Sequence, residues 1–232
     1  MSTELQLLSW WFLFGGTHIL GSSVPVRTRL IRALGLLGFK ALYSVVALAT
    51  FLPLVWTAWN HRHAGKLLFV PGAWNLHATE VLMFVAFLFL ALAFASPNPV
   101  TTTSELTGRF TSQARGVHRI TRHPMNTAFG LFGLAHMLSN PTVGDWIFWG
   151  GFVVYALVSA QHQDRRSLAT GPAEFRAFHA ETSYWPFAAI LRGRQELALG
   201  EIRLTAVVLA VILFGLLRWL HPRLIGGFAT GA

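Results

Sequence analysis

The chain has 232 residues, of which 53% are hydrophobic and only 12% charged, with a mean hydropathy of +0.51. Ordinary soluble domains carry about a quarter charged residues, so this composition excludes a soluble globular domain and points to an integral membrane protein. The net charge of +9 raises the possibility of a nucleic-acid partner, but its distribution along the chain, described below, accounts for it otherwise.

Taken in chain order, apolar stretches run over 5–20, 33–56, 76–96, 124–139, 143–161 and 204–220. Each is close to the roughly 20 residues that an α-helix needs to cross a bilayer, which predicts an all-α polytopic bundle of about six spans. The first and fourth are short, as expected of helices that are tilted or sit inside a bundle. The N-terminus is not expected to be a secretory signal: its only charge before the apolar run is Glu4, where a signal carries Lys or Arg. Nine Trp and nineteen Phe suit lipid-facing and interfacial surfaces.

The cations alternate between connections. Segments 21–32, 97–123 and 162–203 hold thirteen Lys and Arg, among them Arg109, Arg115, Arg119 and Arg122; segments 57–75, 140–142 and the tail hold three. The positive-inside rule then places the three basic segments in the cytoplasm and both termini on the periplasmic side of a bacterial inner membrane. A basic membrane face accounts for the charge, so no nucleic-acid partner is expected. Segment 162–203 is the largest piece outside the spans, with Gly171-Pro172 breaking it and Pro186 stopping a short helix. Forty residues are too few for an independent domain, and the chain reads as a single domain over 1–232. Gly35 and Gly38, Gly130 and Gly133, and Gly150 and Gly151 lie where helices touch or where a flat cofactor approaches the backbone.

Ionisable residues inside spans are costly and mark functional sites by default. Here they are His18, Lys40, His77, Glu80, His123, His136 and His162. The topology sorts them by depth. His18 ends the first span, His123 precedes the fourth and His162 follows the fifth, so all three lie at the cytoplasmic boundary. Two imidazoles at one depth from different helices form a natural pair of axial ligands for an iron porphyrin. Pro124 drives His123 out of the α region and into an N-cap, where the helix dipole favours a neutral ring with a free lone pair. Arg119 and Arg122 are candidates to pair with haem propionates. The competing reading is structural: boundary histidines commonly hydrogen-bond a carbonyl or water. His77 and Glu80, three apart, share a helix face and read as a structural pair. His136 lies about 20 Å along its helix from His123, near His61 and His63 at the outer boundary. Lys40 reads first as a snorkelling lysine and second as a ligand for a propionate or an acidic substrate.

Four stretches are distinctive: Arg119-Ile120-Thr121-Arg122-His123-Pro124, then Asp164-Arg165-Arg166, then Pro186-Phe187-Ala188-Ala189-Ile190 with Gly193-Arg194-Gln195, and earlier Gly38-Phe39-Lys40-Ala41-Leu42-Tyr43-Ser44. Together, in this order, they resemble the NnrU-domain family, and within it the 15-cis-ζ-carotene isomerase branch, over residues of about 10 to 196. The resemblance implies a haem b protein whose ferrous iron isomerises the central cis bond of a lipophilic polyene. It implies His18 and His123 as axial ligands and as the catalytic centre; Arg119, Arg122 and Lys40 are the cations already read from the sequence as candidates to lie around the cofactor. The isomerase branch also uses a cysteine upstream of the Arg-His-Pro motif to switch ligands, and this chain has no cysteine. Two alternatives stand beside this reading. One is a non-enzymatic haem sensor or assembly factor for nitrogen-oxide respiration. The other is a membrane methyltransferase resembling isoprenylcysteine carboxyl methyltransferase, with which the chain shares Arg-His-Pro, Glu174, Phe175 and Pro186 but not an acidic pair at 161–164. The oligomeric state and the true substrate stay open.

Overall fold

A computed structural model describes residues 1–96 and 113–224; Arg109 of the second basic segment lies outside the described residues. Nine α-helices are described: α1 (Thr3–Ser22), α2 (Val24–Asn60), α3 (Ala73–Ala95), α4 (Val117–Ile120), α5 (Pro124–Ser139), α6 (Val143–Thr170), α7 (Ala173–Glu181), α8 (Ala188–Leu191) and α9 (Leu204–Leu224). Among the described residues there is no β-strand, only an isolated bridge between Leu67 and Thr142. The all-α membrane bundle predicted from the hydropathy pattern is the observed fold. Each of the six apolar stretches lies on its own helix. Four of these helices, α2, α3, α6 and α9, are long and apolar enough to cross a membrane, whereas α1 and α5 fall short of that criterion.

Three boundaries differ from the sequence reading. Segment 21–32 is helical rather than a loop: α1 and α2 meet at Ser23 alone, which closes α1 by donating from its N–H to Leu20 O and opens α2 as its N-cap. α6 continues to Thr170, well past residue 161, and stops at Gly171 as expected, with Pro172 capping α7. α7 ends at Glu181, before Pro186, because the next stretch turns back to pair with residues 120–122, ahead of α5.

Gly35 explains how α2 reaches 37 residues. Its φ of 71° and ψ of 172° interrupt the helix. That conformation is open to glycine and strained for any residue with a Cβ. The 25 residues beyond it extend about 37 Å at 1.5 Å per residue, enough for a bilayer core of about 30 Å. The eleven residues before it hold Arg27, Arg29 and Arg32 and form a separate arm.

The helices pack in a row. α2 lies on α1, α1 on α6, α6 on α5, α5 on α3, and α3 on α9. Hydrophobic burial drives helix association little in lipid, so contact requires close backbone approach by small residues. Much of the buried core is alanine: Ala86, Ala128, Ala135, Ala156, Ala160, Ala206 and Ala210. Gly133 of α5 lies close against α6, where an added Cβ would lie 2.5 Å from the Trp149 carbonyl oxygen. Larger side chains fill the seams. Leu7, Leu54 and Phe148 join α1, α2 and α6, and the Trp11 indole donates to Phe148 O at 3.1 Å.

The end of the bundle opposite the Arg119–His123 turn is closed by polar contacts. Asp145 at the start of α6 accepts from the Thr142 hydroxyl at 2.7 Å and binds His63 Nδ1 at 2.9 Å. His136, in the last turn of α5, hydrogen-bonds Phe132 O and stacks on Trp149. His77 is exposed, and its expected partner Glu80 instead binds Arg218 of α9 at 2.6 Å. A carboxylate among lipids gains more from a cation on the neighbouring helix than from an imidazole one turn away.

Candidate functional site

At the basic end, the α1, α2, α5 and α6 helices line an open-sided cavity of about 300 Å³, at the small end of the range for small-molecule sites. Its walls include His18 and Ser22 of α1, Tyr43 of α2, Met125, Asn126 and Phe129 of α5, and Tyr155, Ser159, His162 and Arg166 of α6. The α6 residues recur at intervals of four, three and four, which places them on one helix face. Asn126 fixes α5 to α6 beneath the cavity by donating to Ala156 O at 3.0 Å and Ser159 Oγ at 2.7 Å.

His18 is held within this space by its surroundings. Its ring lies 4.3 Å from the Tyr43 ring, 5.3 Å from Phe14 and 5.6 Å from Tyr155, centroid to centroid. Its backbone carbonyl accepts from the Ser22 hydroxyl at 2.8 Å and the Tyr43 hydroxyl at 3.1 Å. Its Nδ1 is buried with no hydrogen-bond partner. Leaving such an atom unpaired costs about 1–3 kcal/mol, which marks His18 out among the residues around the cavity. His162 presents the same chemistry, with Nε2 buried and unpartnered.

His123 does N-cap α5, as Pro124 predicted. Its ring, however, turns to Asp164: Nε2 lies 2.8 Å from Oδ1. The other carboxylate oxygen accepts from Arg122 Nε at 2.8 Å, and Arg122 Nη1 donates to Thr182 O. His179 stands 3.7 Å from the same oxygen. Asp164 is thus a hub that ties the Arg-His-Pro turn to α6 and to the residues after α7. Arg122 and Asp164 are about 90% removed from solvent, more than either of the other two arginine–carboxylate pairs described.

Arg119 forms a second clamp. It grips both oxygens of Glu201, at 2.9 and 2.8 Å, and donates to Gln195 Oε1, while the Gly116 N–H donates to Glu201. The Arg119 guanidinium, helped by the Gly116 N–H, lowers the Glu201 carboxyl to about 2. Between the two clamps His118 is fully enclosed beside Phe178, and burial lowers its ring to about 4, so it is neutral at pH 7.

The structure therefore brings His18 and His162 into one cavity and sets His123 beside it, bound to Asp164. Arg119 and Arg122 are engaged by carboxylates of the chain, and the arginine lining the cavity is Arg166. Lys40 lies one turn before Tyr43 with a buried ammonium nitrogen and is not among the lining residues. Sequence reasoning missed the hub role of Asp164 and the walls made by Tyr43 and Tyr155. One signal was present: with nine carboxylates against eighteen cations, an acidic residue beside a basic run is a candidate clamp.

Among the described residues no group of three or more His, Asp or Glu is placed to hold a metal ion. A bare ion bound by protein ligands alone does not match this donor set. A porphyrin carries its own four nitrogens and asks of the chain only axial imidazoles, and two histidines, His18 and His162, are among the cavity's lining residues.

The NnrU protein family model matches residues 6–228, nearly the whole sequence. The chain belongs to the NnrU family. Among curated proteins it is 29% identical over 164 residues to the chloroplastic 15-cis-zeta-carotene isomerase of Zea mays, covering 68% of this chain and 43% of the relative. It is also 29% identical over 204 residues to the chloroplastic 15-cis-zeta-carotene isomerase of Arabidopsis thaliana, covering 84% and 53%. The NnrU chain thus spans about half the length of the curated relatives it matches. No solved structure matches it at a significant level.

Proposed function

We propose that this NnrU-family protein is a membrane isomerase acting on the 15-cis double bond of ζ-carotene or a related polyene, with haem b bound at the cavity around His18. The carrying observation is that cavity: an anchored histidine with an unpartnered buried nitrogen, among aromatic and apolar walls within an apolar bundle. The names of the two plant relatives supply the substrate class and reaction type. The resemblance names His123 as the second ligand; it stands beside the cavity with its Nε2 on Asp164.

Cis–trans isomerisation adds and removes no atoms and no electrons, so the side chains need to supply no proton. Bound ferrous iron contributes a centre that shares electron density with the double bond and lowers its rotation barrier. The protein's part is to bind, orient and exclude water. Ile19, Met125 and Phe129 provide apolar surface for a hydrocarbon chain. The Tyr43 and Ser22 hydroxyls fix the turn of α1 that carries His18. Arg166 at the cavity supplies a cation for the propionates of a bound porphyrin.

The test is expression in bacteria that make 15-cis ζ-carotene, grown in darkness because light isomerises the same bond. The isomer profile is read by chromatography and the purified protein by absorption, oxidised and reduced. The active protein shifts the profile, and His18→Ala abolishes the shift. Haem with an unchanged profile refutes the isomerase reading in favour of a sensor or assembly factor; absence of haem with binding of S-adenosylmethionine refutes it in favour of a methyltransferase.

A further inference from the structure

A second cavity, of about 250 Å³, lies outside the His18 site, where α3 ends and α9 begins. It is lined by Ala95, Ser96, Arg115, Gly116, Glu201 and Arg203. Three stretches of chain distant in sequence meet there, and Gly116 is the junction. It has a φ of 57°, and an added Cβ would lie 3.0 Å from Ser96 Oγ and 3.4 Å from Glu201 O.

The charges around this space do not balance. Its lining carboxylate, Glu201, is already engaged: its two oxygens bind Arg119, and one of them also accepts from the Gly116 N–H. Arg115 and Arg203 remain, both exposed. Arg115 donates to the neutral Gln113 side chain, and neither arginine is paired with a carboxylate among the described residues. Arg203 also stands immediately before Leu204, the first residue of α9, where the helix dipole disfavours a cation. Two cations beside a positive helix end create a field that a bound anion relieves.

The surfaces beside the cavity select the kind of anion. Phe94, next to Ala95 on α3, and Leu204, next to Arg203 on α9, are 76% and 73% exposed. Both helices are long and apolar enough to cross a membrane. The cationic cavity therefore adjoins two apolar surfaces at the depth where the spans give way to the basic segments. A free anion uses only the cavity, whereas a membrane lipid uses the cavity and the apolar flanks together.

We propose that this cavity binds the phosphate of an anionic membrane lipid, held by Arg115 and Arg203 with the Ser96 hydroxyl as a further donor. The lipid bridges the end of α3 and the start of α9, with its acyl chains along the exposed apolar faces of those helices. By engaging Glu201, Arg119 offsets the charge on the wall that would repel a phosphate. The site is independent of the chemistry proposed for the His18 cavity and shares no residue with it.

The experiment titrates full-length protein in a neutral detergent with dioleoyl phosphatidylglycerol, dioleoyl phosphatidylcholine or inorganic phosphate. Bound lipid is read by native mass spectrometry and the unfolding midpoint by a thermal scan. Wild type retains phosphatidylglycerol and is stabilised by it saturably, and gains little from phosphatidylcholine or from phosphate at the same concentration. Arg115→Gln/Arg203→Gln binds phosphatidylglycerol at least about tenfold more weakly, the factor that one charge-assisted hydrogen bond supplies. Arg29→Gln/Arg32→Gln, which removes the same charge from the arm before Gly35, keeps wild-type affinity. If Arg115→Gln/Arg203→Gln fails to fold, the single variant Arg203→Gln is read in the same way, since that side chain makes no hydrogen bond among the described residues. An unchanged affinity in the cavity variants, or an equal loss in the arm variant, overturns the site in favour of diffuse attraction to a basic face. Stabilisation by inorganic phosphate equal to that by phosphatidylglycerol overturns a lipid as the source of the anion. Failure of wild type to retain phosphatidylglycerol overturns the proposal altogether.

Discussion

Removing the Asp164 carboxylate tests the arrangement that ties the Arg-His-Pro turn to the rest of the bundle. Asp164→Ala deletes two contacts of 2.8 Å at once, one to Arg122 and one to His123, where both side chains of the ion pair are about 90% buried. Breaking a buried pair by deleting one partner costs about 3–5 kcal/mol, chiefly because the surviving charge is left without compensation. Arg122 retains the Thr182 carbonyl. That residual hydrogen bond moves the expected loss to the low end, about 3 kcal/mol. Arg122→Ala alone should cost less, since Asp164 keeps His123. In the double variant Asp164→Ala/Arg122→Ala the uncompensated guanidinium is gone, so its total loss should fall short of the sum of the single losses by 1 kcal/mol or more, in the range of about 0.5–3 kcal/mol seen for directly contacting residues. The assay is tryptophan-fluorescence unfolding in mixed micelles, with wild type and the three variants measured together. A loss of less than about 1 kcal/mol in Asp164→Ala, or strict additivity in the cycle, would refute the argument that this pair is buried and coupled.

Three further outcomes follow from features of the fold. Gly133→Ala places a Cβ 2.5 Å from Trp149 O and 2.9 Å from Phe152 Cβ; the overpacking cost of about 1–3 kcal/mol should exceed the helix-propensity gain of about 1 kcal/mol, while Gly130→Ala, whose Cβ meets only Ala156 at 3.7 Å, should be neutral or stabilising in the same unfolding assay. Glu201 has its carboxyl lowered from 4.5 to about 2 in the fold; its stabilisation is therefore full above pH 4.5 and disappears as the pH falls toward 2, so the stability gap between wild type and Glu201→Gln should be constant at neutral pH and close on acidification, and a gap independent of pH contradicts the clamp. Reporter fusions after Gln195 should score as cytoplasmic and those after Gly65 as periplasmic, as the charge asymmetry requires; the reverse scores would invert the assigned orientation.

The sequence pattern located every long helix because hydropathy in a membrane chain is nearly a direct record of burial in lipid. It was less informative where one residue decides geometry. Ser23 joins α1 to α2 without a loop, and the arm before Gly35 stays helical despite its three arginines, since Arg is itself a good helix former. The depth of His18, His123 and His162 was legible from charge asymmetry and helix ends. Their orientations were not, because orientation depends on which scarce carboxylate reaches which ring. Asp164 lies 41 residues from His123, and Glu201 lies 82 from Arg119. Glu80 shows the same limit: its three-residue spacing from His77 suggested a local pair, and a cation 138 positions away took it instead.

The Arg119–Glu201 clamp has a consequence for biosynthesis. Translation delivers Arg119 long before Glu201, and the two belong to segments flanking α5 and α9 respectively. During that interval the Arg-His-Pro turn has its Asp164 anchor as soon as α6 is made, yet the guanidinium one helical turn earlier has no carboxylate to grip. α3, packed on α5 along one side, likewise waits for α9, which covers another side and supplies Arg218 for Glu80. The order of emergence thus makes the helices of the histidine end, α1, α2, α5 and α6, available first, while the carboxylate for Arg119 and the cation for Glu80 arrive only with residues 201 and 218.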